Sequence, residues 1–260
     1  MPARAEYTVR DVNVVPAASL LAEPTRAAML TALLDDRPLA AGELARLAGV
    51  TPATASAHLA RLLDGGLVTV IRQGRHRYYR LAGPEIAAVM EALANLSPAT
   101  PVRSLRESQA AAALAQARTC YDHLAGRAGV ALLDALLARR LLTPAPGGGQ
   151  PSNGGRPGDN AAPQAHTSHA RFEVTVEGLA TLSTFGLDIC ALERTRRRFA
   201  GACLDWTERK PHLNGALGAA ITARLLGLHW IERGSRRRAV QVTPAGAEGL
   251  AATFGWSVED

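Results

Sequence analysis

Residues 51–66 read TPATASAHLARLLDGG. The stretch opens on a threonine that can cap a helix and a proline suited to its first position, and it closes on a pair of glycines that would end the helix. Three leucines at helical spacing, Leu59, Leu62 and Leu63, predict that one side of this helix is buried. The side left over is small and polar, and it carries Thr51, Thr54, Ser56, His58 and Arg61.

The flanking segments place this helix in a recognisable order. Helices are predicted over 17–34, 41–49 and 84–96, and β-prone runs are predicted at 67–71 and 76–81 about Gly74. A short helix, a tight turn, a second helix and then a hairpin is the winged helix-turn-helix arrangement, whose second helix enters a major groove.

The polar side of helix 52–63 and the hairpin tip therefore form the candidate DNA-binding surface, in which the helix reads base edges and the hairpin positions it on phosphates. The candidate DNA-binding residues are Thr51, Pro52, Thr54, Ala55, Ser56, His58 and Arg61 in the helix, and Arg72, Gln73, Gly74, Arg75, Arg77 and Tyr79 in the hairpin.

One combination of residues over about 14–96 is more specific than any single motif. It consists of Glu43-Leu44, Leu47-Ala-Gly-Val50, Thr54-Ala-Ser-Ala-His-Leu59, Leu62, Gly65-Gly-Leu-Val68 and Arg72-Gln-Gly-Arg75 with Tyr79 and Leu81. In this combination the segment resembles the ArsR/SmtB family of winged-helix transcriptional regulators. The resemblance implies a homodimer formed by helices 17–34 and 84–96, a palindromic double-stranded DNA operator, and repression rather than activation. The family's Cys-x-Cys and final-helix metal sites have no counterpart here, because the N-terminal domain has no Cys and helix 84–96 has no His.

Charge and composition agree with an anionic partner. The formal net charge is +6 and the pI is about 9.9. The segment from Thr51 to Leu81 contains five arginines and a single acidic residue, Asp64. No apolar run reaches the roughly 18 residues that a membrane span needs, and no signal pattern is present, so a cytoplasmic protein is expected. The three cysteines are too few for a disulfide framework and are expected to be reduced.

The rest of the chain divides into a connecting segment, 97–117, predicted to be helical, and a C-terminal sensor or interaction domain, 118–260. This domain contains a weak repeat. His123-Leu-Ala-Gly126 and His212-Leu-Asn-Gly215 each start an apolar helix, and each unit continues to a strand and a T-x-x-G-x-x-x-L helix. Residues 143–170 lack apolar periodicity and are predicted to be a disordered insertion in the hairpin of the first repeat.

The fold class expected from these patterns is mainly α with small β-hairpins (α+β): an N-terminal winged helix-turn-helix plus a C-terminal domain of two winged-helix-like repeat units. The basic runs Arg194-Thr-Arg-Arg-Arg198 and Arg233 with Arg236-Arg-Arg238 could add phosphate contacts, although a solvated face is the more common explanation.

Thiols and histidines of the C-terminal half suggest where a signal could enter. Thiolate, imidazole and carboxylate groups suit a soft divalent metal such as zinc, cadmium or lead. The candidate metal residues are Cys120, Asp122, His123, Cys203, Asp205 and His212. Purely structural roles for these side chains and a small-molecule pocket are the alternatives. No cofactor is expected to be required, and a metal would act as an effector.

Two other functional classes compete with a regulator. A thiol enzyme could use Cys120 or Cys203 as nucleophile with a nearby histidine as base, but no phosphate loop, carboxylate pair or nucleophile elbow supports it, so no catalytic residue is predicted. A sequence-tolerant architectural DNA-binding protein is the third hypothesis.

Overall fold

The computed structural model describes residues 13–98, 101–146 and 170–256. The chain divides into two compact units. Unit 1 comprises the residues up to Leu33 together with Arg37–Gly83, and unit 2 comprises Leu34–Asp36 together with the chain from Pro84 onward.

Unit 1 is a winged helix-turn-helix, as the sequence predicts. Its three strands form one sheet in the order β1-β3-β2, and β2 and β3 make the wing hairpin. Its elements are α1 (Val15–Leu21), α2 (Pro24–Ala32), β1 (Leu39–Ala40), α3 (Ala41–Leu47), α4 (Pro52–Asp64), β2 (Val68–Gln73) and β3 (His76–Leu81).

The prediction of a single helix over 17–34 is wrong, because the chain forms two helices, α1 and α2, with a corner between them. Glu23 has an extended backbone, and its carboxylate accepts hydrogen bonds from the backbone N–H groups of Thr25 and Arg26. Pro24 then occupies the first position of α2, where its lack of an N–H is tolerated. The Arg26 guanidinium donates to the carbonyls of Ser19 and Leu20, so both helix ends at the corner are satisfied.

Helix α4 packs through Leu59 and Leu62, which are fully buried. Thr51 caps the helix, since its side chain accepts a hydrogen bond from the Thr54 N–H, as the sequence predicts. Leu63 was expected on the buried side but is substantially exposed, because it follows Leu62 by one residue and therefore turns about 100° around the helix.

Unit 2 is built from short antiparallel hairpins and the helices that cover them. Its elements are α5 (Pro84–Leu96), α6 (Leu105–Gln116), β4 (Arg118–Cys120), β5 (His123–Ala125), α7 (Gly126–Ala138), β6 (Leu142–Pro144), β7 (Phe172–Val174), α8 (Val176–Thr184), α9 (Ile189–Glu193), β8 (Gly201–Leu204), β9 (Pro211–Asn214), α10 (Gly215–Gly227), β10 (Ile231–Arg233), β11 (Val240–Val242) and α11 (Pro244–Phe254).

Helix α5 belongs to unit 2, whereas the sequence placed it in the N-terminal domain ending at residue 96. The reason lies in its polar side chains: Glu91 pairs with Arg238, and Asn95 donates to the Leu204 carbonyl at 3.1 Å. The expected helix of the connecting segment is present as α6, which ends at Gln116, and Cys120 lies in strand β4.

The order hairpin, helix, hairpin, helix occurs twice in unit 2: β4-β5, α7, β6-β7 and α8 form repeat A, and β8-β9, α10, β10-β11 and α11 form repeat B. Thr175 and Thr243 cap the equivalent helices α8 and α11. His123 and His212 lie in hairpin strands and not in helices, and strands of three or four residues are too short to carry a clear alternating pattern. The description of both repeats as winged-helix-like stays a prediction.

The repeats pack reciprocally. Helix α7 contacts β9 of repeat B, and helix α10 contacts β5 of repeat A. The close approach requires glycine on both helices. A Cβ at Gly129 would lie 3.4 Å from the Cβ of His212 in repeat B, and a Cβ at Gly218 would lie 3.4 Å from the Cβ of His123 in repeat A.

The tract at 143–170 separates β6 from β7, and these strands pair with each other, so it is inserted in a hairpin as predicted. Its ends are not disordered: Thr143 and Pro144 belong to β6 and Ala170 is fully buried. Residues 147–169 lie outside the described residues. Within the described parts of the chain, no helix is both long and apolar enough to cross a bilayer.

Candidate nucleic-acid interface and cysteine–histidine cluster

The amino-terminal half of α4 presents a hydroxyl-rich surface. The Thr51 and Thr54 hydroxyl oxygens lie 2.9 Å apart, and the Ser56 hydroxyl donates to the Pro52 carbonyl at 2.9 Å. These residues and Arg61 are exposed. Each hydroxyl oxygen retains bonding capacity beyond these local contacts, so this face can hydrogen-bond base edges or phosphates.

Three of the predicted DNA-contact residues are buried or contact another side chain of unit 1. Ala55 is fully buried and Tyr79 is almost so, and both belong to the core of unit 1, where they cannot reach a ligand. His58 is half-buried, and its Nδ1 lies 3.2 Å from Glu23 Oε2. His58 therefore helps to hold α4 against the corner between α1 and α2, and its contact with a base stays a prediction.

Glu23 is the centre of that corner. Burial acts to raise its pKa, but hydrogen bonds from the backbone N–H groups of Arg26 and Thr25 outweigh this and lower the pKa to about 2. The carboxylate is therefore charged and can pair with His58. This role could not be read from the sequence, since Glu23 and His58 are far apart in the chain.

The wing carries its positive charge at the tip. Arg72 lies opposite Arg77 in the β2-β3 register, and Gly74 has a φ of 58°, a left-handed conformation that glycine adopts without steric cost. All the predicted wing residues except Tyr79 are exposed, namely Arg72, Gln73, Gly74, Arg75 and Arg77. Two like charges facing each other across a hairpin repel, which a phosphate between them would relieve.

Arginines of the second half differ from those of the wing in their surroundings. Arg197 pairs with Asp122, Arg233 donates to Asp35 at 2.6 Å, and Arg238 pairs with Glu91. These members of the two basic runs are engaged within unit 2, so the idea that they add phosphate contacts loses its basis.

Comparison with known proteins agrees with this geometry. The helix-turn-helix domain family HTH_20 matches residues 21–71. Over 234 residues the chain is 40% identical to the HTH-type transcriptional regulator YdfF of Bacillus subtilis, an alignment that covers 90% of this chain and 93% of YdfF. The chain belongs to the helix-turn-helix transcriptional regulators. The resemblance predicted from residues 14–96 is thereby confirmed, and a DNA-binding regulator replaces the thiol enzyme as an interpretation.

Solved structures similar to part of this regulator include NolR from Sinorhizobium fredii, which is 26% identical and covers 34% of this chain and 86% of NolR at a TM-score of 0.31. A homodimeric winged helix-turn-helix DNA-binding domain from Mycobacterium bovis is 36% identical and covers 32% of this chain and 75% of that domain at a TM-score of 0.29. Both likenesses concern a minor part of the chain, so the assignment rests on YdfF.

Unit 2 of the regulator gathers four of the six residues singled out as metal candidates. Cys120, His123, Cys203 and His212 each offer a ligand atom, and these atoms all lie within 4.8 Å of one another. Cys120 pairs with His123 in the β4-β5 register and Cys203 pairs with His212 in the β8-β9 register. We call these four residues the Cys–His cluster. Hydrogen bonding to Cys203, together with burial, raises the pKa of Cys120 to about 12.

Asp122 and Asp205 are not members of the Cys–His cluster but lie behind its histidines. Asp122 Oδ1 is 3.3 Å from His123 Nδ1, and Asp205 Oδ2 is 3.5 Å from His212 Nδ1. Burial acts to raise the pKa of Asp122, but hydrogen bonds from His123 and Arg197 lower it to about 2.

Asp205 is fully buried and pairs with an equally buried Arg118, whose Nη2 donates to Asp205 Oδ2 at 2.9 Å. Burial acts to raise the pKa of Asp205, but the Arg118 charge outweighs it and holds the pKa well below its ordinary range. Arg118 is a functional neighbour that sequence reasoning missed. In a chain so rich in arginine, nothing in the sequence marked this arginine as buried.

Proposed function

We propose that this regulator is a homodimeric repressor that binds a palindromic operator, with α4 in the major groove and the β2-β3 wing along the backbone. The observation that carries the proposal is the exposed, hydroxyl-rich face of α4 followed directly by an arginine-bearing hairpin. Small side chains allow a helix to approach base edges closely, and exposed arginines supply the phosphate contacts that dominate affinity.

The contacts divide between two tasks. Thr51, Thr54, Ser56 and Arg61 are the candidates for base readout because they share the exposed side of α4. Arg72, Arg75 and Arg77 are the candidates for phosphate binding because they surround the wing tip, with Gln73 and Gly74 allowing the tip to follow the backbone. Phosphate contacts position a protein without reading sequence, so substitutions in the two groups should have different consequences.

Dimerisation through α5 is supported by an apolar stripe on its surface. Val89 is 46% exposed, Leu93 is 42% exposed and Leu96 is 80% exposed, and their spacing of four and three residues puts them on one side of the helix. A contiguous row of exposed apolar side chains on a long helix favours a partner helix. A second copy of α5 would cover the row symmetrically.

Selection of bound DNA from a random pool, followed by footprinting, tests this function. A repressor of this kind should enrich a palindrome whose half-site centres lie about 10 base pairs apart, and the bound protein should block transcription in vitro from a promoter that contains it. Enrichment of no sequence, together with uniform protection of any probe, would show an architectural DNA-binding protein instead.

Arg75→Ala should weaken binding to every DNA sequence by a similar factor and lower the slope of log affinity against log salt by about 1, because one phosphate contact is lost. Fluorescence anisotropy at several salt concentrations measures both quantities. Arg103→Ala, at an exposed arginine of unit 2, is the control and should leave the slope unchanged. If Arg75→Ala also leaves it unchanged, the wing does not contact the backbone.

Leu93→Glu should convert the dimer into a monomer and reduce operator affinity by about 100-fold or more, since two linked half-site contacts gain this much over one. Light scattering after gel filtration measures the mass, and anisotropy measures the affinity. Leu179→Glu is the matched control, because Leu179 is similarly exposed at 45% but lies on α8. A Leu93→Glu protein that remains dimeric would exclude α5 as the interface.

A further inference from the structure

We propose that the Cys–His cluster binds one soft divalent cation, zinc or cadmium, in tetrahedral coordination by Cys120, His123, Cys203 and His212. Two thiolates and two imidazoles form the ligand set that structural zinc sites use. Each repeat contributes one cysteine and one histidine from directly opposed positions of a hairpin. The cation would therefore join repeat A to repeat B.

The distances suit such a site after a small contraction. Bonds of about 2.3 Å to sulfur and about 2.0 Å to nitrogen place tetrahedral ligand atoms about 3.3–3.8 Å apart. The present separations, all within 4.8 Å, need to shorten by about 1.5 Å at most. Rotation of side chains on two short hairpins supplies movement of this size without a change of fold.

The imidazoles lack the partners that buried polar groups require. His212 is fully buried, and its Nε2, like the Nε2 of His123, has no hydrogen-bond partner within the described residues. A buried polar atom left unsatisfied costs about 1–3 kcal/mol. Coordination by a cation would satisfy these atoms, whereas a purely structural role for the two histidines leaves this cost unexplained.

Asp122 and Asp205 lie where a carboxylate can accept a hydrogen bond from a histidine that ligates a metal. Each faces the Nδ1 atom of one histidine, and a histidine that ligates a metal commonly donates its other N–H to a carboxylate. This arrangement leaves Nε2 of both rings for the cation. Each carboxylate is also held by an arginine, Arg197 or Arg118, so the rings are fixed in orientation before a metal arrives.

The charge of the complete site balances. Both thiols release their protons to solvent when the cation binds, so that two thiolates neutralise a divalent ion and two protons are freed for each ion bound. A cavity of about 270 Å³ lined by Cys120, His123 and Cys203 gives access to the site, and Pro84 and Ala87 of α5 line its other side.

The strands that carry the cysteines are both tied to α5. Arg238 donates from Nε to the Thr119 carbonyl, beside Cys120, at 2.9 Å and also pairs with Glu91 of α5. Asn95 of α5 donates to the Leu204 carbonyl, beside Cys203. Contraction of the cluster would therefore pull on α5. The regulatory consequence rests on the proposed function, in which α5 forms the dimer: cation binding should change operator affinity, by the 5-fold to 150-fold typical of coupled sites.

Titration of the chelator-treated, reduced full-length protein with Co²⁺, and then with Zn²⁺ and Cd²⁺, tests the site. One equivalent of Co²⁺ should produce thiolate-to-cobalt charge transfer and the visible bands of tetrahedral cobalt, and one equivalent of Zn²⁺ should abolish them. Zn²⁺ should also protect two of the three thiols from a thiol reagent and leave Cys190, which is exposed, reactive. Octahedral cobalt spectra, or thiols that Zn²⁺ does not protect, would overturn the proposal.

Loss of a group that hydrogen-bonds to a metal ligand weakens metal binding roughly 10–100-fold. Cys203→Ser removes a ligand itself and should weaken cation binding by more than this, and Cys190→Ser should leave it unchanged. Asp122→Asn should weaken it about 10-fold without changing the stoichiometry. Equal affinity in Cys203→Ser and the wild type would exclude the cluster as the site. The thiol-protection result on the unaltered chain decides the matter if Cys203→Ser does not fold.

Operator binding measured with and without Zn²⁺ separates the two proposals. A cation that binds with a tetrahedral spectrum and shifts operator affinity at least 5-fold supports both. A cation that binds while no operator is ever enriched removes the proposed function but supports the site. Operator affinity that is identical with and without bound Zn²⁺ removes the regulatory consequence.

Discussion

Asp205→Asn should lower the free energy of unfolding of unit 2 by about 3–5 kcal/mol, measured by urea denaturation in the presence of a chelator. The substitution keeps the shape of the side chain but removes its charge, which leaves a fully buried Arg118 without its counterion. Breaking one side of a buried ion pair carries a cost of this size, because the remaining charge stays uncompensated.

The cost is increased by the other donors that converge on Asp205. Its Oδ2 also accepts from the Gly126 N–H at 2.7 Å, and its Oδ1 accepts from the Thr207 N–H and hydroxyl and from the Glu208 N–H. An amide can present an oxygen to only one of these two groups of donors.

Asp134→Asn is the control for this substitution, because Asp134 is exposed on α7 and surface changes usually stay within about 0.5 kcal/mol. Arg118→Met combined with Asp205→Leu removes both charges and should recover only part of the lost stability, since an apolar pair can replace a buried ion pair but leaves the N–H groups of Gly126, Thr207 and Glu208 without this acceptor. A loss below about 1 kcal/mol in Asp205→Asn would show that Arg118 is hydrated and that the pair does not hold unit 2 together.

Ser56→Glu should reduce operator affinity by about 100-fold or more while leaving the thermal stability of unit 1 nearly unchanged. A carboxylate at this exposed position of α4 would face phosphates and base edges in the proposed complex, and a misplaced like charge costs several kcal/mol. Each 1.4 kcal/mol corresponds to a tenfold change in affinity. Anisotropy with the selected operator measures the loss, and a thermal melt followed by circular dichroism measures the stability.

Ser108→Glu on α6 is the matched control, since it makes the same change at an exposed position outside unit 1 and should leave affinity within about twofold at moderate salt. Thr54→Ala should have a smaller effect that is concentrated on the selected operator, because a lost hydrogen bond to a base affects only the cognate sequence. Unchanged affinity in Ser56→Glu would place α4 outside the groove.

Much of unit 1 could be predicted from sequence because its signals are local. The leucine spacing and the threonine cap define α4, and Gly74 marks the wing turn. The corner at Glu23 and Pro24 was missed because the apolar period continues through it, although a proline inside a helical pattern marks a helix boundary and Glu23 caps the second helix. The contact of His58 with Glu23 could not be predicted because the two residues are distant in the chain.

Unit 2 was less predictable because its hairpins are short and its polar contacts are long-range. The cysteines and histidines could be singled out by residue type, but the register of their strands could not be predicted, since strands of three or four residues carry almost no periodic signal. The position of Asp205 behind His212 could not be predicted, because it depends on the ion pair with Arg118, which lies 87 residues away along the chain.

The reciprocal packing of the two repeats has a consequence for stoichiometry. Helix α7 covers the hairpin of repeat B and α10 covers that of repeat A, so the repeats are related as the two subunits of a symmetric dimer would be, but within one polypeptide. A cluster that takes half its ligands from each repeat is therefore complete in every chain. Its occupancy follows the number of chains, not the number of dimers, and a dimer on DNA would carry two such centres.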